Sequence, residues 1–180
     1  MPRHAHALPL RAAILSRLVC IGILRVQNPS NLRQREARVR AMQDSHHTPS
    51  PAAARAPLRV VIADDNADLS VAMSHVIDAE PDMRCVGRVD AASRVVEFTR
   101  ETDADVLLLD LRLRDGTGMD VIETLTAELP ALRVIVFSGY PHPELAQEAR
   151  RRGAAGFVTK SGDLDELLDE IRHVAASGRA

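Results

Sequence analysis

From Leu58 onward, apolar runs of strand length alternate five times with segments whose apolar residues recur at helical spacing. No other feature restricts the fold as much, because parallel strands need a long crossover between them and right-handed crossovers put helices on both faces of the sheet. "LRVVIA" is the first buried-strand run, followed by a helix in which Leu69, Ala72, Met73, Val76 and Ile77 share one face. "MRCVGRV" and "AASRVVEFTRE" form the second unit, and "DVLLLDL", the most apolar strand, is expected at the centre of the sheet. A glycine-rich loop, "RDGTG", leads into a helix through "MDVIETLTAEL" that Pro130 closes. "LRVIVFS", a helix through "PELAQEARRRG" ended by Gly153, "AGFVT" and "LDELLDEIRHVAASG" complete the series. The expected fold is α/β, a doubly wound five-stranded parallel sheet.

In such sheets the functional crevice lies beyond the carboxyl ends of the strands. The first strand ends in Asp64 and Asp65, the third in Asp110, the fourth in Ser138, and the fifth runs into Lys160, the one lysine of the 180-residue chain. Three carboxylates held close repel unless a cation joins them. A hard divalent ion such as Mg²⁺, taking one or two carboxylates plus phosphate oxygens, suits this set better than calcium. Any single strand-end acid is more simply read as a helix cap, and Asp65 or Asn66 could cap the first helix. Five such side chains on four strand ends point to a site. A lysine reaches a single anion as a point charge, where arginine prefers a planar fork.

Charge divides the chain. Residues 1–57 carry nine arginines against Glu36 and Asp44, a balance of +7, whereas the remainder balances to −9. The first part, ending in "SHHTPSPAAARAP", reads as a basic, disordered extension and linker, and residues 58–180 as the folded domain. "LPLRAAILSRLVCIGILRV" has the pattern of a short amphipathic helix, and Met42 is a plausible internal start. Cys20 and Cys85 share no metal-type spacing, and no apolar run reaches the ~20 residues of a membrane span. A cytoplasmic location without a signal peptide is expected.

"IADDNADLSVAMSHVI", "DVLLLDLRLRDGTGMDVI", "VIVFSGY" and "GAAGFVTKS" together resemble the receiver domain of bacterial two-component response regulators, over residues 58–177. The resemblance implies a flavodoxin-like strand order 2-1-3-4-5 and a role in phosphorelay signal transduction. Asp110 would be the phosphoacceptor, taking its group from a phosphohistidine on a sensor histidine kinase or histidine phosphotransfer protein. Asp65 and Asp110 would ligate Mg²⁺ with the backbone carbonyl of Arg112, and Asp64 would act mainly through water. Ser138 and Lys160 would bind phosphoryl oxygens, Lys160 pairing with Asp110 beforehand. Ser138 and Phe157 would form the switch that alters affinity for a downstream partner.

The family pattern is not matched everywhere. Ser161 and Arg114 stand where receivers commonly have proline, although Gly118 occupies the expected loop glycine, and Arg112 and Tyr140 hold positions that tend to influence phosphoryl lifetime. A stand-alone receiver, not a turnover enzyme, is the expected product; the alternative is a transcription regulator lacking its DNA-binding domain. Nucleic acid is not an expected partner, since no recognition helix follows the last receiver helix. Neither a P-loop nor a G-x-G-x-x-G follows the first strand, which argues against a nucleotide-binding enzyme.

Overall fold

The computed structural model describes residues 56–140, 142–161 and 163–177, so the basic extension, its linker and its helical pattern lie outside the described residues. Strands β1 (Leu58–Ala63), β2 (Met83–Val89), β3 (Val106–Leu109), β4 (Arg133–Ser138) and β5 (Gly156–Thr159) form one sheet in the order β2-β1-β3-β4-β5. All neighbours are parallel. Helices α1 (Ala67–Asp78), α2 (Ala92–Glu101), α3 (Gly118–Glu128), α4 (Pro143–Arg151) and α5 (Leu164–Ser177) are the crossovers and the final element. None of the described helices is long and apolar enough to cross a membrane.

The continuous apolar strands are split by the two-residue period into two cores. Val60, Ile62, Val106, Leu108, Ile135, Phe137 and Val158 pack with α1 and α5. Their neighbours Val61, Ala63, Leu107, Leu109, Val134 and Val136 pack with side chains of α2, α3 and α4. Burial on both faces explains why β3 shows no polar alternation. Each helix contributes the face its spacing predicts: Leu69, Met73, Val76 and Ile77 from α1, and Leu164, Leu167, Leu168, Ile171, Val174 and Ala175 from α5.

Local chemistry sets the ends of these elements. The Asn66 side chain accepts from the Leu69 N–H and caps α1. After α4, Gly153 adopts φ +104°, and the bonds from Gly153 N–H to the Arg150 carbonyl and from Ala154 N–H to the Ala149 carbonyl close the helix. A Cβ there would also come within 2.8 Å of Thr126, so glycine is required twice over at this position.

Arg172 joins α5 to the turn between α1 and β2. Its guanidinium lies 2.8 Å from Glu80 and 2.8 Å from Asp82, and it also reaches Asp169 at 3.3 Å. The hydrogen bond from Arg172 holds the Asp82 carboxyl below its usual range. A depressed carboxyl stabilises the fold above the unfolded value and loses that contribution as pH falls through the folded value. Because Asp82 and Arg172 are 49% and 36% exposed, Arg172→Ala is expected to cost only about 1 kcal/mol at neutral pH. Urea titrations should show that deficit shrinking below about pH 4.

Candidate functional site

Asp64, Asp110 and Lys160 continue the alternation of Ile62, Leu108 and Val158, so all three fall on the α1/α5 side of the sheet just past the strand ends. Ser138 continues the opposite set, after Val134 and Val136. The Lys160 ammonium lies 2.7 Å from Asp64 Oδ2 and 2.7 Å from Asp110 Oδ2. To get there it must cross β4, because β5 is two strands from β3 and three from β1, a span of roughly 10–14 Å at ~4.8 Å per strand. The Phe137 ring, on β4 and on the same side of the sheet, lies 5.7 Å from the ammonium. It gives the lysine an apolar, electron-rich floor midway. Phe137 has no role in the sequence reading, where it is one more residue of an apolar strand.

Asp64, Asp110 and Ser138 are 3%, 4% and 2% exposed. Burial pushes the Asp64 carboxyl above its ordinary value, against the opposing pull of Lys160. Its second oxygen accepts from the Asn66 N–H at 2.9 Å, so Asp64 is held at both ends and sets the start of α1. Asp65 is exposed, and its carboxylate makes no hydrogen bond among the described residues. Ligand oxygens of Asp64, Asp65 and Asp110 all lie within 4.8 Å of one another. Against one ammonium, three carboxylates leave an excess of negative charge with oxygen donors still available, and this donor set fits a hard divalent cation.

A cavity of about 320 Å³ is lined by Asp110, Ser138, Lys160, Arg112, Thr117 and Tyr140 among others. The Ser138 hydroxyl accepts from the Tyr140 N–H at 3.2 Å, and the Lys160 N–H donates to the Ser138 carbonyl at 2.7 Å. The Arg112 guanidinium stands 5.6 Å over the Tyr140 ring. Phe157, opposite Val136 in the register, is half-buried against the α2/α3/α4 core and is not part of the cavity wall.

The glycine-rich loop after Asp110 is a small antiparallel hairpin, with Arg112 opposite Thr117 and Leu113 opposite Gly116. Thr117 caps α3 through the Met119 N–H. Gly118 returns the chain against Asp110: its N–H donates to the Leu111 carbonyl, and a Cβ would stand 2.0 Å from the Asp110 carbonyl oxygen. No side chain fits there without moving Asp110.

Four strand ends thus deliver a buried carboxylate, two further acids, a hydroxyl and a bridging ammonium to one rim, in the order of the four sequence motifs. A family model described as the response regulator receiver domain matches residues 60–172. The chain belongs to the response regulator receiver family. This receiver is 30% identical over 122 residues to the nitrate/nitrite response regulator protein NarL of Escherichia coli K12, covering 68% of this chain and 56% of that protein. It is 28% identical over 123 residues to the transcriptional regulatory protein YxjL of Bacillus subtilis, with the same two coverages. The chain therefore spans little more than half the length of the curated relatives it matches. Among solved structures, a LuxR-family two-component response regulator from Aurantimonas aligns with a TM-score of 0.65 at 26% identity, over 68% of this chain and 87% of that one. The response regulator domain of Thermotoga maritima CheB aligns with a TM-score of 0.60 at 30% identity, over 67% and 97%. The receiver fold and its strand order are those expected from the sequence.

Proposed function

We propose that this receiver accepts a phosphoryl group on Asp110 from the phosphohistidine of a sensor kinase or histidine phosphotransfer protein, and that the modified domain binds a downstream partner with altered affinity. The observation that carries this reading is the buried Asp110 carboxylate, which lines a cavity, lies within 4.8 Å of two more acids and is bonded to Lys160. In the transfer an Asp110 oxygen forms the new P–O bond as the P–N bond breaks. The imidazole nitrogen keeps the electron pair, and an ionised carboxylate has no proton to lose.

Catalysis of this kind is mostly positioning and charge neutralisation. Lys160 already neutralises the acceptor and stays in reach of the phosphoryl oxygens as the charge moves outward. The Ser138 hydroxyl, on the cavity wall, donates to another of those oxygens. Asp65, Asp110 and the Arg112 carbonyl would hold Mg²⁺, with Asp64 contributing through water. When bound, the ion offsets the charge of the carboxylates and the incoming group. Once Ser138 turns to the phosphoryl group it no longer accepts from Tyr140, and Phe157 on the adjoining strand takes up the change, shifting a population of surface conformations.

The location proposed is the cytoplasm, where kinase domains of two-component systems present their phosphohistidine. A second reading, in which the domain serves a transcription regulator, is favoured by the relatives: YxjL is a transcriptional regulatory protein, and this chain covers 56% of it and of NarL. The full chain shifting promoter DNA only when phosphorylated would support it.

Acetyl phosphate and Mg²⁺ test the site. The full chain is expected to gain the mass of one phosphoryl group, labile to hydroxylamine and mapping to the peptide that contains Asp110. No gain in mass, or modification elsewhere, overturns the reading.

A further inference from the structure

The hairpin after Asp110 is tied to the start of α2 by contacts made through its turn. The Asp115 carboxylate accepts from the Ala92 backbone N–H with one oxygen and from the Ser93 hydroxyl with the other. Beside it, the Arg114 N–H donates to the Asp90 carbonyl at 2.9 Å, and the Arg114 guanidinium stands 3.4 Å from the Asp90 carboxylate. Both turn residues are thus fastened to the segment from Asp90 to Ser93.

That segment needs the help. Ala91 stands at the N-cap of α2 and offers no side-chain acceptor, and an uncapped helix start leaves backbone donors unsatisfied. Asp115 supplies the acceptor from 23 residues away, and a carboxylate at a helix N-terminus is favoured by the helix dipole as well. The Ser93 hydroxyl holds its carboxyl below the usual range, so the group stays ionised near neutral pH. One side chain therefore closes α2 and pins the hairpin.

Both ends of the pinned hairpin bear on the site. Arg112 begins it and lines the cavity beside Asp110; Gly118 follows its last residue and packs against the Asp110 carbonyl. The Arg114 N–H bond to Asp90 adds a backbone tie to the one Asp115 makes through its side chain.

We infer that Asp115 is a positioning residue for phosphoryl acceptance at Asp110, fixing the Arg112 carbonyl and the Gly118 contact by anchoring the hairpin to α2. The inference rests on the proposed role of Asp110. It is tested in the full chain with Asp115→Ala and Asp115→Asn, and with Arg172→Ala as a variant that loses stability far from the hairpin. Three quantities are read: the Mg²⁺ concentration that half-saturates the rate of modification by acetyl phosphate, hydrogen exchange of residues 111–118, and the melting temperature.

Asp115→Ala is expected to raise the half-saturating Mg²⁺ about 10-fold, in the range seen when a ligand's supporting partner is removed, and to speed exchange of the Arg114 amide by a similar factor. Asp115→Asn keeps an acceptor for the Ala92 N–H and should recover most of both. Arg172→Ala should melt lower with its Mg²⁺ dependence and hairpin exchange unchanged. If Asp115→Ala only melts lower, with the other two quantities at their original values, Asp115 is a helix cap and the inference falls. Should the unmodified sequence take no phosphoryl group, the proposed function fails on its own account. Hairpin exchange then decides alone: unchanged exchange overturns the anchoring role, and faster exchange upholds it.

Discussion

Asp110→Asn is expected to abolish phosphoryl incorporation from acetyl phosphate, reducing the mass-shifted fraction to background, while the domain stays folded. Asparagine has nearly the shape of aspartate, so the packing at the end of β3 is kept, and its carbonyl oxygen still accepts from Lys160. What disappears is the anionic oxygen that the proposed function assigns to the new P–O bond; an amide is too weak a nucleophile to replace it. The neighbours offer no substitute, because one oxygen of Asp64 is bonded to Lys160 and the other to the Asn66 N–H, while Asp65 is exposed. Stability should change little or rise slightly, since one of three clustered like charges is removed and Lys160 keeps its bond to Asp64. Intact-protein mass spectrometry and a thermal melt check both halves. Modification that persists in the variant would remove Asp110 from its role.

Lys160→Met destabilises the domain by about 3–5 kcal/mol, the range for removing one partner of a buried ion pair. The exposures justify that range: the side chains of Asp64, Asp110 and Lys160 are 2%, 5% and 15% exposed, so water screens the pair poorly. Methionine matches the stem and can still lie on Phe137, so packing is nearly conserved and the loss is electrostatic. Two buried carboxylates then face each other without their shared cation. The double variant Asp110→Asn, Lys160→Met isolates this effect. It should be more stable than Lys160→Met alone, because only one buried carboxylate remains uncompensated, and the coupling is the change in the double variant less the sum of the changes in the two single variants. Urea unfolding of the four proteins gives the cycle. A Lys160→Met variant within about 1 kcal/mol of the unmodified chain would mean the bridge is solvated and contributes as surface pairs do. Phosphorylation of that variant should also be slow, since no ammonium remains to neutralise the acceptor.

Most of the architecture was legible before any coordinates. β1, β3 and β4 each carry a run of four apolar residues, from Val60, Val106 and Val134, and the helices carry their apolar residues at one spacing, so alternation alone implied parallel strands with helices on both faces. The strand ends then named Asp64, Asp65, Asp110, Ser138 and Lys160 together, because a doubly wound sheet gathers whatever stands at those positions. Other features were illegible for a common reason: each depends on which distant residues meet. The Asp115 cap on α2 joins two loops that the sequence keeps 23 residues apart. The bond between Lys160 and Asp64 joins residues 96 apart in the chain. Phe137 looks like ordinary core in the sequence, and only the path of Lys160 over β4 gives it a further contact. Phe157, read as half of a switch, lies half-buried on the opposite face from Phe137, and its part in signalling rests on the proposed function.

Periodicity and strand-end chemistry are local properties, and through them the sequence by itself determined three things: the layering of the domain, the set of residues on its rim, and the requirement for a compact cation among three acids. The tertiary structure alone decided how that cation is shared. Lys160 reaches two carboxylates by spanning β4 from β5, with the Phe137 ring 5.7 Å from its ammonium. Strand order and side-chain reach are set by packing between segments far apart in the chain, which no local pattern encodes.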